Sequence, residues 1–122
     1  TSKGGVVDTL EDMFRTAYQK HFEQLPLIQA ALSHVWGRGQ AAALFKSAAA
    51  QAVQRSLTRA LSRGVERGEL RADADVGLLS EMLWDVYVAN YRLAVFENFG
   101  VDDLLSRMRQ QIRALLCGFL RD

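Results

Sequence analysis

The two histidines, His21 and His34, are the side chains best suited to hold a metal, and neither stands at ligand spacing from a second donor. A His-x-x-x-His pair puts two ring nitrogens on one helical face, and Glu-x-x-His does the same for a carboxylate and an imidazole. Both patterns are absent, so no metal site is expected. Glu81 and Asp85 lie one helical turn apart, as paired acid-base carboxylates can, but Arg92 shares their face and the group reads as a solvated edge. Cys117 has no histidine near it in sequence and falls in a packing stripe, which points to a buried structural thiol. No serine or cysteine forms a triad with a histidine and an acid. Gly37-x-Gly39-x-x-Ala42 mimics a dinucleotide fingerprint, but no strand pattern precedes it and the next carboxylate, Glu66, is distant. Arg55, Arg59, Arg63, Arg67 and Arg71 recur every four residues. Such a row drifts by about 40° per step around a helix, so it makes a solvated face and not a flat anion-binding patch. The chain is therefore expected not to be an enzyme and to need no cofactor.

The bulk properties exclude further classes. The chain has 122 residues, enough for one domain spanning 1–122. Its 49% hydrophobic and 24% charged content is that of a globular chain, not a disordered one. A net charge of +1 argues against direct nucleic-acid binding, which draws its affinity from neutralising phosphates. One cysteine precludes an intrachain disulfide and suits the cytoplasm. No apolar run approaches membrane-spanning length, and the N-terminal residues lack the apolar core of a signal peptide.

Apolar residues recur at helical spacing throughout, and Pro26 is the lone proline. The pattern predicts an all-α fold, a roughly five-helix bundle with short connections. The first helix runs from about Gly5 to Gln24 on the stripe Val7, Leu10, Phe14, Tyr18, Phe22. A short second helix covers about Pro26 to Trp36. A long third covers about Gln40 to Arg67 and stops at Gly68. Asp73 or Asp75 caps a fourth, about Val76 to Asn98. Asp102 and Asp103 suit the positive start of a fifth, which runs to about Leu120.

The fourth helix is the informative one. At about 100° per residue, Trp84, Tyr87 and Tyr91 fall within about 60° of one another. Met82, Val86, Ala89, Leu93 and Phe96 fall on the opposite side at alternating three- and four-residue steps. Few small domains can wrap both sides of one of their own helices, so a second copy is the expected cover. The last helix carries a similar row: Val101, Leu105, Met108, Ile112, Leu115 and Phe119. Ala114, Cys117 and Gly118 beside it permit close approach. Two such helices from each of two chains would make a four-helix dimer interface. The inner face, Trp84, Tyr87 and Tyr91, can meet Phe14, Tyr18 and Phe22 on the first helix and Phe45 on the third. Trp36 lies at the end of the second helix, and Ala49 sits in an alanine-rich stretch that leaves volume opposite the rings. This constellation is either a solid core or a mostly apolar pocket with a few hydroxyls, the make-up of a small-molecule site.

The segment Arg63-Gly64-Val65-Glu66-Arg67-Gly68-Glu69-Leu70-Arg71-Ala72-Asp73-Ala74-Asp75 resembles the junction between the long core helix and the first dimerisation helix of TetR-family repressors. Thr1-Ser2-Lys3-Gly4-Gly5-Val6-Val7 is similar to the phrase that opens that family's linking helix. Phe99-Gly100-Val101-Asp102-Asp103-Leu104-Leu105, through Leu116-Cys117-Gly118, is similar to its ending. The resemblance implies a homodimeric regulatory domain that binds a small apolar or aromatic effector. It implies that Phe14, Tyr18, Phe22, Trp36, Phe45, Ala49, Trp84, Tyr87 and Tyr91 line the pocket. DNA would be reached only through an N-terminal helix-turn-helix head that these residues do not include. The alternative is a helical homodimeric interaction module with a packed core and no ligand.

Overall fold

Every apolar stripe seen in the described part of the sequence forms a helix. The computed structural model describes residues 5–22 and 48–120. Within them lie four helices: α1, Val6–Phe22; α2, Ala48–Glu66; α3, Val76–Phe96; and α4, Val101–Leu116. The fold is all-α, and a single antiparallel bridge between Leu70 and Leu120 is its only extended pairing among these residues. The helix expected over Pro26–Trp36 and the front of the long third helix lie outside the described residues.

The helices pack in a ring in which α1 touches α4 and α2, and α3 touches the same two neighbours. Leu10 and Phe14 of α1, Leu57 and Leu61 of α2, Leu83 and Tyr87 of α3, and Leu104, Met108, Ile112 and Leu116 of α4 fill the centre, all essentially without solvent contact. The column on α4 corrects the reading of that helix. Met108 and Ile112, expected on a seam to a partner, are 1% and 0% exposed inside the chain's own core. Leu105, Leu115 and Phe119 are half-buried against the same core. The physical reason is that α4 has one apolar arc only. A row of three- and four-residue steps down the middle of an arc does not say which neighbour covers it.

The turn from α2 to α3 holds the ring together. Gly68 adopts φ 76°, a left-handed stop that suits glycine. The next two amides, of Glu69 and Leu70, both return to the Gly64 carbonyl at 2.8 and 3.1 Å. Glu69 then reaches across to α1, where its carboxylate accepts the Val6 N–H at 3.0 Å and closes an otherwise open helix end. Leu70 is fully buried, and the Arg71 N–H donates to the Phe119 carbonyl at 2.7 Å, which fastens the chain beyond α4. Asp75 caps α3 by accepting the Leu78 N–H at 3.1 Å, while Arg71 and Asp73 pair at 3.0 Å on the surface.

Gly64 leaves room for this approach of α1. A Cβ there would stand 3.0 Å from Val6 Cγ2 and 3.1 Å from Leu70 Cδ1, and both neighbours are buried. Gly64→Val is expected to destabilise the fold by about 1–3 kcal/mol through overpacking. Glu69→Ala should cost about 1 kcal/mol by leaving the first amide of α1 without its acceptor. Urea midpoints of the two variants check this, and an unchanged midpoint for Gly64→Val would show that the helices do not approach so closely.

Candidate functional site

Phe14 and Tyr18 come from one side of the ring and Trp84, Tyr87 and Tyr91 from the other, and they meet at its centre. Ring centroids lie 4.6 Å apart for Tyr18 and Tyr87, 5.3 Å for Tyr18 and Tyr91, and 5.4 Å for Phe14 and Tyr87. Trp84 stands 5.3 Å from Tyr87. The tilted and edge-on contacts are those aromatic quadrupoles prefer. These rings fill one another's space. They bring together the expected residues Phe14, Tyr18, Trp84, Tyr87 and Tyr91 in ring-to-ring contact within the core. Trp36 and Phe45, with the side chains of Phe22 and Ala49, lie outside the described residues, as do those of His21 and His34.

The hydroxyls are paired, as burial demands. Tyr18 donates to the Tyr87 carbonyl at 3.0 Å, and Tyr87 and Tyr91 share a 2.8 Å hydroxyl contact. The Asn90 amide, 3% exposed, donates to the Tyr18 hydroxyl at 3.2 Å and to Gln111 Oε1 at 2.6 Å. Its carbonyl oxygen accepts from Arg107 Nε and Gln111 Nε2, each at 3.3 Å. This polar thread runs from α1 through α3 to the surface of α4. Asn90 was missed in the sequence, although it is the amide that breaks the apolar inner arc of α3. Burial pushes the phenols of Tyr18, Tyr87 and Tyr91 far above the ordinary tyrosine value of 10.0.

An open groove of about 400 Å³ lies between α1 and α2, bordered by Met13, Thr16, Ala17, Lys20, Ala52, Val53 and Ser56. Its size falls within the range of small-molecule sites. Its lining is mostly apolar and includes the Thr16 and Ser56 hydroxyls and the Lys20 side chain. None of the described residues expected to line a pocket borders it. The usable signal was the facing pair of small residues Ala17 and Ala52. On the far side of α1, Glu11 Oε1 lies 3.1 Å from Arg109 Nε and 3.9 Å from Arg113, an ion pair without hydrogen-bond alignment. No group of His, Cys, Asp or Glu among the described residues could hold a metal, and no described helix is long and apolar enough to cross a membrane.

The outer face of α3 carries the other expected set. Met82, Ala89 and Phe96 are exposed, Phe96 at 60%, and Val86 and Leu93 are half-buried; Leu78, at 52%, extends the strip. The hydrogen bonds that Arg107 and Gln111 make with Asn90 fasten α4 to the flank of α3 next to this strip. Ala114 on α4 and Gly118 in the turn after it are exposed, and nothing lies within 4 Å of a Cβ built on Gly118. Cys117 is exposed, not buried. It sits in the turn after α4, on the side opposite Met108 and Ile112. Arg55, Arg59, Arg63, Arg67 and Arg71 are all exposed.

No protein-family model matches the chain, and no curated protein or solved structure matches it.

The tyrosines give the fold a pH dependence of definite sign. Below pH about 10 both folded and unfolded chains keep the phenolic protons, and their contribution is fully present. As the pH rises past that value the unfolded chain releases protons that the folded chain retains, so stability falls. The urea midpoint is expected to drop steadily above pH about 10, with tyrosinate absorbance appearing only on unfolding. Tyrosinate formation by all three residues near pH 10 in a chain that stays folded would contradict their burial.

Proposed function

We propose that this chain is the dimerising, effector-responsive half of a TetR-like transcriptional repressor, with DNA read by a separate helix-turn-helix head. The observation that carries the reading is the outer face of α3. Leu78, Met82 and Phe96 stand exposed on the side of the helix opposite its aromatic core face. A continuous apolar strip on a small domain marks an interaction site, and a twofold pair of identical strips is the commonest way to cover one. The adjoining edge of α4, with Ala114 and with Gly118 just beyond the helix, lets a second copy approach closely. The sequence phrases at the α2–α3 turn and at the chain's end support the family reading.

The effector, a small apolar or aromatic compound, would enter the groove between α1 and α2. Its contacts with Met13 and Ala17 bear on α1, the lever of this mechanism. The start of that helix is tied to Glu69, and Tyr18 ties it to α3. A ligand that favours one setting of α1 over another shifts the population of the two, and with it the spacing of DNA-reading heads attached ahead of α1. A repressor of this kind works in the cytoplasm, where the exposed Cys117 thiol stays reduced. The filled aromatic core favours a second reading, a homodimeric helical module with no ligand.

The wild-type chain is expected to sediment as a dimer at micromolar concentration. Leu93→Arg should give a folded monomer, because Leu93 is only half-buried, whereas Ile112→Arg should unfold the chain. A monomeric wild type would overturn the dimer reading. For the groove, one equivalent of 1-anilinonaphthalene-8-sulfonate, an aromatic anion, is expected to bind near Lys20. Binding should be lost in Ala52→Trp, which fills the groove, and kept in Leu93→Arg. Equal binding by Ala52→Trp and wild type would favour the ligand-free module.

A further inference from the structure

The exposed strip on α3 has an internal symmetry that its charges share. Met82 matches Leu93 and Val86 matches Ala89, each pair lying evenly about a point between Tyr87 and Val88, and Leu78 and Phe96 lie within one residue of matching about it. Two such helices laid antiparallel about that point would set Met82 against Leu93 and Val86 against Ala89, with Leu78 of each copy near Phe96 of the other at the two ends. Glu81, Asp85 and Arg92 run along one edge of the strip, within about 40° of one another at 100° per residue. All three are exposed, and none forms an ion pair with a described residue. Position 92 reflects onto position 83, two residues from Glu81 and two from Asp85. At a rise of about 1.5 Å per residue the offset is about 3 Å each way, well within the reach of a guanidinium. A twofold axis perpendicular to both helices keeps the charged edge of one copy on the same side as that of the other.

We infer that α3 packs against α3 of a second copy in antiparallel register, with the twofold axis passing beside Tyr87 and Val88. Arg92 of each chain sits between Glu81 and Asp85 of the partner subunit. This rests on the dimer reading above and specifies its geometry. A parallel twofold pair would put the two charged edges on opposite flanks of the seam, where Arg92 meets neither Glu81 nor Asp85, so the charges favour the antiparallel one. Each pair at the rim contributes modestly to affinity, but the symmetry doubles it, and reversal turns attraction into repulsion.

The test uses the whole chain and sedimentation equilibrium, with native mass spectrometry of mixtures. Arg92→Glu is expected to weaken self-association by about tenfold or more at low salt, as is the Glu81→Arg, Asp85→Arg double variant. Mixed together, the two should form a heterodimer well in excess of the statistical half. Circular dichroism should show every variant folded, since the three positions are exposed. If the wild type is dimeric but the mixture stays statistical, or if Arg92→Glu pairs preferentially with wild type, the register is wrong while the dimer stands. A monomeric wild type removes both.

Discussion

The constraint on which the bundle depends is the approach of α1 to the turn between α2 and α3. One missing side chain, at Gly64, lets Val6 and Leu70 close over the helix. One carboxylate, of Glu69, satisfies the first amide of α1 from a segment 63 residues away in sequence. The same turn seats Leu70 in the core and receives the end of the chain through the Phe119 carbonyl. Four helices that could slide past one another are thereby indexed at one end. The short phrase Gly-Glu-Leu-Arg is thus a set of separate jobs: a left-handed stop, a distant helix cap, a core plug and a backbone anchor.

From that indexed end the helices diverge in what they offer. The inner arc of α3 brings three tyrosine or tryptophan rings to the centre, and Asn90 within it converts a greasy contact into a directional one. A buried amide that must satisfy both Tyr18 and Gln111 fixes the rotation of α3 relative to α1 and α4. That rotation in turn sets the outer strip, from Leu78 to Phe96, at a definite angle to the α4 edge. The polar thread and the outer surface are therefore parts of one geometric statement: a helix held by hydrogen bonds on its inner side cannot turn its outer side away.

Much of this was legible in the sequence because helical periodicity is a local property. The wheel of Val76–Asn98 separates Trp84, Tyr87 and Tyr91 from Met82, Leu93 and Phe96, and the structure buries the first group and leaves the second half-buried or open. Gly68 and Asp75 are legible for the same reason, as end signals that act within one turn. What was not legible depends on pairs distant in the chain. Nothing in the row from Val101 to Phe119 says that Met108 and Ile112 face inward, because a single apolar arc looks the same whichever neighbour covers it. Cys117 sits near apolar residues in sequence, but its place in the turn after α4 carries it outside. The aromatic set reads equally as a wall or a filling until ring distances are known, and the groove depends on Ala17 and Ala52 facing each other across two helices.

The ring cluster has an optical consequence. Tyr87 stands between Tyr18, Tyr91 and Trp84, with centroids 4.6 to 5.3 Å away. At such separations excitation absorbed by the phenols passes to the indole, which is nine-tenths shielded from water. Trp84 thus collects light from Tyr87 beside it and emits from an apolar setting, and the share that starts on Tyr18 of α1 reaches it only through the α3 tyrosines. The brightness of that tryptophan therefore depends on the α1 and α3 rings staying within a few ångströms of one another.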